Sequence, residues 1–503
     1  MAETDAEIAT TMAIRIKNQT ILRSVVSTSI RCPEVMTYIF FPALTCLRRD
    51  LGHTGTERKV SERYIDTESI FRPVMDVVRT AAEQARKASY LLSSMELKIR
   101  DQALSEIAQA LEANKDKIVD ANRRDLVAAE RARIAPALIK RLKYDEVKIE
   151  ESIRSISSLI EQEDVVGKVL SRTELDDGLV LDKVSCPIGV IGVVFESRPD
   201  ALVQISCLCL RSGNAVLLKG GTEARETNEA LAHAINGAIT GLDKRFVHAV
   251  QLLSTREEFH ELLKHDDLID LIIPRGSNEL VRAIMDSTRI PVLGHAAGIC
   301  HTYVDKAADM DMAVRVCCDA KVQYPAVCNA METLLVHSDV ADSFLPLMAT
   351  RYAQAGVELR GDQKVCKIID ASEATEDDWS AEYGDLVLSL KVVESLDEAI
   401  DHINRYSSHH TDAIVTTDEA AAHQFLDRVD SSSVMWNAST RFADGYRYGL
   451  GAEVGISTNK THARGPVGLE GLVIYKYLLV GNGHVVADYA GKGARRFTHR
   501  RLQ

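Results

Sequence analysis

One cysteine stands where its thiol could act as a nucleophile. Cys328 follows a turn-prone Tyr-Pro pair that ends at Pro325, and it precedes an apolar run that ends at His337. Pro325 predicts a loop just before the cysteine, and Asn329 supplies an amide donor beside it. Thiols react as thiolates, and a partly exposed site near backbone amides or a positive helix end raises the thiolate fraction. By position alone a small buried hydrophobe is the commoner outcome, so the neighbouring elements must decide.

Two predicted strands end in turns that could bind the phosphates of a nucleotide. Residues 217–224, LLKGGTEA, end a strand with Lys219 and two glycines, so a cation and exposed amides can meet a ribose or a phosphate. Residues 274–284 end another strand with Gly276 and Ser277 directly before a helix, which is typical of an anion site. The alternatives are a plain turn and an ordinary helix cap. No GxGxxG follows a strand, so the common dinucleotide fingerprint is absent.

Two further stretches carry candidate groups for an anionic ligand. The segment 449–472 has six glycines, which let a backbone approach a ligand closely, and it contains Ser457, Thr458 and Arg464. The guanidinium of Arg464 could bind a carboxylate or a phosphate through two parallel hydrogen bonds. Arg198, in FESRP, lies close to the expected mouth of the first sheet. A surface loop and structural salt bridges are the alternatives.

Composition excludes several classes of protein. The 503 residues are 46% hydrophobic and 26% charged, as in globular proteins with large buried cores, and the length allows roughly three domains. A net charge of -13 argues against nucleic acid as the main partner. The ten cysteines form neither a disulfide framework nor a paired CxxC pattern for zinc, and no apolar run is long enough to span a membrane. We therefore predict a soluble, cytoplasmic protein without a metal site.

Alternating patterns predict an α/β fold. Helical periodicity comes first, and a hairpin signal follows at 166–187 with Asp-Gly at its centre. From Pro187 onward, runs of Val, Ile and Leu alternate with helices, and a second such set begins at Pro291. This pattern is typical of parallel sheets that are covered on both faces, so we predict two doubly wound domains. The last β-type run, 471–489, would pair with the hairpin as an arm that invites pairing with another chain.

Six long stretches form a set with a recognisable order. They are CPIGVIGVVFESRPDA, LLKGGTEARETN, GHAAGICHTYVD, YPAVCNAMETLLVH, VESLDEAIDHINRYSSHHTDAI and GISTNKTHARGPVGLEGL. Together they resemble the γ-glutamyl phosphate reductases, a family within the aldehyde dehydrogenase superfamily. The resemblance covers roughly Asp76 to Tyr489 and implies an aldehyde-dehydrogenase-like architecture with a cofactor domain, a catalytic domain and an oligomerisation arm.

The resemblance implies boundaries and partners. We place the NADPH-binding domain at 73–163, 187–290 and 441–467, the catalytic domain at 291–440, the arm at 164–186 with 468–490, a disordered N-terminal extension at 1–72 and a tail at 491–503. A homo-oligomer is implied by the arm. Since few residues precede Asp76, we expect a form without a fused kinase, which takes a small-molecule substrate from a separate glutamate 5-kinase, a candidate partner.

The resemblance also implies roles for individual residues. Cys328 would be the nucleophile, with its backbone N–H and Asn329 stabilising the oxyanion. The implied cofactor contacts, for NADPH or NADP, are Lys219 at the adenosine ribose and its 2′-phosphate, Gly276 and Ser277 at the pyrophosphate, and Glu382 at the nicotinamide ribose. The substrate's anionic groups would meet Arg198, Ser457, Thr458 and Arg464.

The implied reaction is NADPH-dependent reduction of γ-glutamyl 5-phosphate to glutamate 5-semialdehyde and phosphate, the second step of proline biosynthesis. A hydrolytic aldehyde dehydrogenase is an alternative. Hydrolytic members carry a glutamate where this chain has His295 and Ala296, which favours the reductase. A non-catalytic scaffold for the kinase is the other alternative.

Overall fold

A layer of helices begins the described part of the chain. The computed structural model describes residues 67–294 and 297–502, with side chains from Val77 onward except that of Ala137. The helices before the first strand are α1 (Thr67–Leu92), α2 (Leu97–Ala113), α3 (Lys115–Arg131), α4 (Pro136–Leu142) and α5 (Glu146–Ile160). Leu104 and Ile107 of α2 are completely buried, because apolar residues three and four apart share one face of a helix.

Some predictions fall on residues outside the described ranges. These are the N-terminal extension as far as residue 66 and the pair His295 and Ala296. Helix α1 begins at Thr67, before Pro73, where we placed the start of the folded part. Among the helices that the structure describes, none is both long and apolar enough to cross a membrane.

The first parallel sheet has the strand order β5-β4-β3-β6. Its strands and helices are β3 (Val190–Phe195), α6 (Pro199–Arg211), β4 (Ala215–Gly220), α7 (Arg225–Leu242), β5 (Val250–Leu253), α8 (Arg256–Leu262), β6 (Leu271–Arg275) and α9 (Asn278–Ser287). All six residues of β3 are buried, which explains its unbroken apolar sequence. Residues of 452–473 pack into the same core, so the glycine-rich segment lies beside this sheet.

The second parallel sheet has the strand order β10-β9-β11-β8-β7-β12-β13. Its elements are β7 (Cys300–Val304), α10 (Met310–Val322), β8 (Met331–His337), α11 (Ser338–Ala355), β9 (Glu358–Gly361), α12 (Val365–Ile368), β10 (Ser372–Glu373), β11 (Val387–Val393), α13 (Leu396–Tyr406), β12 (Thr411–Val415), α14 (Glu419–Arg428) and β13 (Ser433–Trp436). The prediction of two parallel sheets with helices is confirmed. We did not predict β9 or the two edge strands, β10 and β13.

The two segments that we assign to the arm form an antiparallel sheet with the order β16-β2-β1-β17, in which β17 comes from the predicted tail. Its strands are β1 (Val169–Asp176), β2 (Leu179–Pro187), β16 (Val473–Val480) and β17 (Arg500–Arg501), and a small pair, β14 (Ile456–Ser457) and β15 (Gly465–Pro466), precedes β16. Gly178 turns the hairpin with a φ of 70°, as the Asp-Gly signal predicted. Strand β16 pairs with β2 from Val180 to Pro187, as predicted. The domain boundaries stay predictions.

Candidate active site

Cys328 lies in the loop of residues 323–330, between α10 and β8, which we call the Cys328 loop. Its thiol is half-buried. Gly298 packs directly against the backbone of Cys328. A Cβ built on Gly298 would lie 2.4 Å from the carbonyl oxygen of Cys328 and 2.5 Å from its Cα. Cys300 donates from Sγ to the same carbonyl oxygen at 3.2 Å. Burial raises the pKa of Cys300 well above its usual value, so this residue remains a thiol donor.

Arg198 follows β3 and lies close enough to Cys328 for their charges to interact. Ser197 bends the chain there with a φ of 49°, and its N–H and Oγ both donate to Glu223 Oε1, at 2.7 and 2.8 Å. Burial lowers the pKa of Arg198, neighbouring Arg275 lowers it further, and a thiolate at Cys328 opposes the change. Guanidinium groups keep their charge in proteins, so Arg198 places a cation near the thiol.

A second cation, Arg441, approaches from the segment after β13. Burial lowers its pKa most, nearby Arg447 also lowers it, and Cys328 again opposes the change. Its Nε donates to Gln323 Oε1 in the Cys328 loop at 2.9 Å. Two cations therefore lie near a half-buried thiol, an arrangement that attracts an anionic ligand.

One carboxyl group belongs to the same surroundings. Glu453 lies 3.8 Å, Oε1 to Nη1, from Arg275, and it accepts from the N–H of Gly445 at 2.9 Å. Burial raises the pKa of Glu453, Arg275 lowers it, and a thiolate at Cys328 adds to the rise. The site thus holds both signs of charge.

The predicted nucleotide contacts lie at the carboxyl ends of β4 and β6, the two neighbours of β3. A Cβ on Gly276 would lie 2.6 Å from Leu280 Cδ2 and 2.9 Å from Glu196 Oε2, so a larger residue would displace the ends of these two side chains. Ser277 caps α9 by accepting from the N–H of Leu280 at 3.4 Å. Burial lowers the pKa of Lys219, whereas Glu223 raises it. A glycine turn, a helix N-terminus and a lysine fit the diphosphate of a dinucleotide.

Glu382 contacts the start of α9, next to Gly276 and Ser277. Asn278, the first residue of α9, donates from Nδ2 to Glu382 Oε2 at 2.6 Å. Glu382 comes from the loop before β11 in the second sheet, so the contact links the two sheets. Gly276, Ser277 and Glu382 are therefore brought together.

Other predicted site residues have structural partners. Asn329 is buried and donates from Nδ2 to the carbonyl oxygen of Ala443 at 2.8 Å, so part of its amide fixes the Cys328 loop. Arg464 donates from Nη2 to Asp430 Oδ1 at 3.0 Å, which favours a structural role. Ser457 is buried and accepts from a backbone N–H at 3.2 Å, and Thr458 is half-buried. The roles of these residues in binding stay predictions.

Sequence reasoning missed Arg441 and Glu453. Arg441 follows the carboxyl end of β13, a position where ligand-binding residues are common in parallel sheets, but we had not predicted that strand. Glu453 is a single carboxylate within a glycine-rich stretch. No local pattern distinguishes it from a solvated side chain.

Comparisons with known proteins show the family to which the chain belongs. A model of the aldehyde dehydrogenase family matches residues 74–378. The gamma-glutamyl phosphate reductase of Pelotomaculum thermopropionicum is 58% identical over 423 residues, which cover 84% of this chain and 96% of that protein. The gamma-glutamyl phosphate reductase of Methanosarcina barkeri is 54% identical, covering 84% and 97%.

A solved structure extends the likeness to three dimensions. The crystal structure of gamma-glutamyl phosphate reductase from Thermotoga maritima superposes with a TM-score of 0.79 at 38% identity, covering 81% of this chain and 99% of that one. The chain therefore belongs to the γ-glutamyl phosphate reductase family of oxidoreductases, within the aldehyde dehydrogenase superfamily.

Proposed function

We propose that the chain reduces γ-glutamyl 5-phosphate with NADPH, giving glutamate 5-semialdehyde and phosphate through a thioester on Cys328, as the second step of proline biosynthesis. The observation that carries the proposal is a half-buried thiol whose charge interacts with Arg198 and Arg441, the second of which is bonded to the Cys328 loop. The names of the relatives supply the substrate, since they are γ-glutamyl phosphate reductases.

Each step of this reaction has a group to perform it. The thiolate of Cys328 attacks the acyl carbon, and the tetrahedral intermediate expels phosphate to leave a thioester. NADPH, when bound, supplies the hydride that reduces the thioester carbonyl. The thiohemiacetal on Cys328 then collapses, which releases the aldehyde and restores the thiolate. Donors to the oxyanion, such as the N–H of Cys328, are typically worth about 3 kcal/mol each.

The charged groups match the substrate. Arg198 and Arg441 can neutralise its phosphate and carboxylate, and phosphate leaves more readily when a guanidinium binds it. The carboxylate of Glu453 is suited to the α-ammonium group. At the nucleotide end, Lys219 would bind the 2′-phosphate, the turn at Gly276 and Ser277 the pyrophosphate, and Glu382 the nicotinamide ribose.

The decisive experiment runs the reaction in reverse. The chain is supplied with glutamate 5-semialdehyde and either NADP or NAD, with and without phosphate. We expect cofactor reduction only with phosphate, and faster with NADP. Equal rates without phosphate would indicate a hydrolytic aldehyde dehydrogenase, and no turnover with either cofactor would favour the scaffold. Either of the last two results would overturn the proposal.

Replacing Arg198 with methionine should raise the KM for phosphate about 10- to 100-fold in this assay. Hydrogen bonds to charged groups contribute roughly 1.5–3 kcal/mol, and each 1.4 kcal/mol is about tenfold in binding. Arg464→Met is the matched control. Because Arg464 pairs with Asp430 near the surface, we expect a change of less than about fivefold. An equal rise in the KM for phosphate in both variants would indicate that Arg464 also binds the substrate.

Strand β16 supports a homo-oligomer. It stands at one end of the arm sheet and exposes Tyr477 and Leu479 by 60% and 57%. An exposed apolar edge strand is suited to pairing with a second copy of the chain. The double variant Tyr477→Lys/Leu479→Lys should therefore lower the molar mass measured by light scattering, and an unchanged mass would contradict the arm's role. A kinase partner and a cytoplasmic location stay predictions.

A further inference from the structure

A buried ion pair closes the base of the Cys328 loop. Lys321 lies in the last turn of α10, just before the loop, and Glu332 lies in β8, just after it. Their side chains are 0% and 1% exposed, and Lys321 Nζ lies 2.6 Å from Glu332 Oε2. The mechanism above uses neither residue. Burying two charges is costly, so a pair placed here calls for a role beyond stability.

The second oxygen of Glu332 connects the pair to the cofactor side of the site. Glu332 Oε1 accepts from the N–H of Gly384 at 3.2 Å. Gly384 follows Glu382 by two residues, and Glu382 in turn accepts from Asn278 at the start of α9. A continuous series of contacts therefore runs from the Cys328 loop to the helix end that is suited to the pyrophosphate.

We propose that Lys321 and Glu332 are positioning residues that hold the Cys328 loop in register with residues 381–386, which we call the Glu382 loop, so that nucleophile and cofactor meet correctly. The ion pair of Lys321 with Glu332 joins the two ends of the Cys328 loop. Glu332 carries that constraint to Gly384 and hence to Glu382. The inference rests on the proposed function, because it assigns the two loops to the thiol and to NADPH.

The pKa shifts of Lys321 and Glu332 agree with a pair of side chains placed to interact with each other. Burial raises the pKa of Glu332 to about 7, and Lys321 opposes this rise. Burial also lowers the pKa of Lys321, and Glu332 opposes that change. Each residue therefore favours the charged form of the other. Removing one partner alone would leave a buried charge and could unfold the loop, so the test replaces both.

Two double variants separate the two contacts of Glu332. In Lys321→Met/Glu332→Gln the ion pair is lost, but the amide oxygen can still accept from Gly384. In Lys321→Met/Glu332→Met the ion pair and the acceptor are both lost at similar side-chain size. We expect the methionine variant to bind NADPH about tenfold more weakly than the glutamine variant, measured by nicotinamide fluorescence titration.

The thiol supplies a second measurement that does not depend on turnover. Peptide mass spectrometry measures the rate at which iodoacetamide alkylates Cys328 without cofactor. In both double variants this rate should differ from that of wild type by at least about threefold. The control is Lys364→Met/Glu394→Met, which removes an exposed Lys–Glu pair. It should leave both measurements unchanged.

The outcomes distinguish the possibilities. If the folded double variants bind NADPH and react with iodoacetamide as wild type does, the pair has only a structural role and the proposal is overturned. If wild type itself fails to bind NADPH, the proposed function fails instead. Lower thermal stability with unchanged binding and alkylation also counts against positioning, because a purely structural pair would give that result.

Discussion

Replacing Cys328 with alanine should lower phosphate-dependent NADP reduction by roughly 10⁴-fold or more, because no acyl-enzyme can form without the thiolate. Nucleophile deletions in covalent enzymes typically cost this much, and water in the same site is a far weaker nucleophile. The measurement is the initial rate of NADP reduction with glutamate 5-semialdehyde and phosphate. NADPH binding, measured by fluorescence, should stay within about threefold of wild type.

Cys318→Ala is the matched control for this loss. Cys318 is likewise half-buried, and it lies on α10, which leads into the Cys328 loop. Its replacement should leave the rate within about twofold, since the shorter side chain removes only modest packing. More than a hundredth of wild-type activity in Cys328→Ala would exclude a thioester mechanism.

The parallel sheets could be predicted because their strands are buried on both faces. All seven residues of β8 are buried, and all six of β3, so unbroken apolar runs marked both strands. The edge strand β13 alternates buried and half-buried residues over only four positions, which is too short to stand out. Because β13 was missed, the site residue that follows it, Arg441, was missed as well.

Contacts within the site depend on residues far apart in the chain. Arg441 and Gln323 are separated by 118 positions, and Asn278 and Glu382 by 104. No local spacing reveals such pairs. Local patterns gave most of the candidate residues and the resemblance added Glu382, whereas the structure was needed to find which of them already have partners, as Arg464 and Asn329 do.

Gly298 illustrates a requirement that only the fold makes visible. It stands next to no charged residue, and its sequence neighbours are apolar. Yet a Cβ there would lie 2.4 Å from one backbone atom of Cys328, 2.5 Å from a second and 2.7 Å from the Cβ of its side chain. Backbone atoms cannot rotate away as the end of a flexible side chain can. The backbone of the Cys328 loop or that at Gly298 would have to move.

Replacing Gly298 with alanine should therefore lower kcat/KM about 100-fold, because a displacement near 1 Å at a reacting group typically costs that much. Gly237→Ala is the control: Gly237 lies within α7, a Cβ there would meet nothing within 4 Å, and the change should stabilise the fold by about 0.5–1 kcal/mol. Steady-state kinetics and thermal unfolding of both variants provide the test. Wild-type kcat/KM in Gly298→Ala would mean that the Cys328 loop tolerates the displacement, and that the close packing of Gly298 is not needed to aim the thiol.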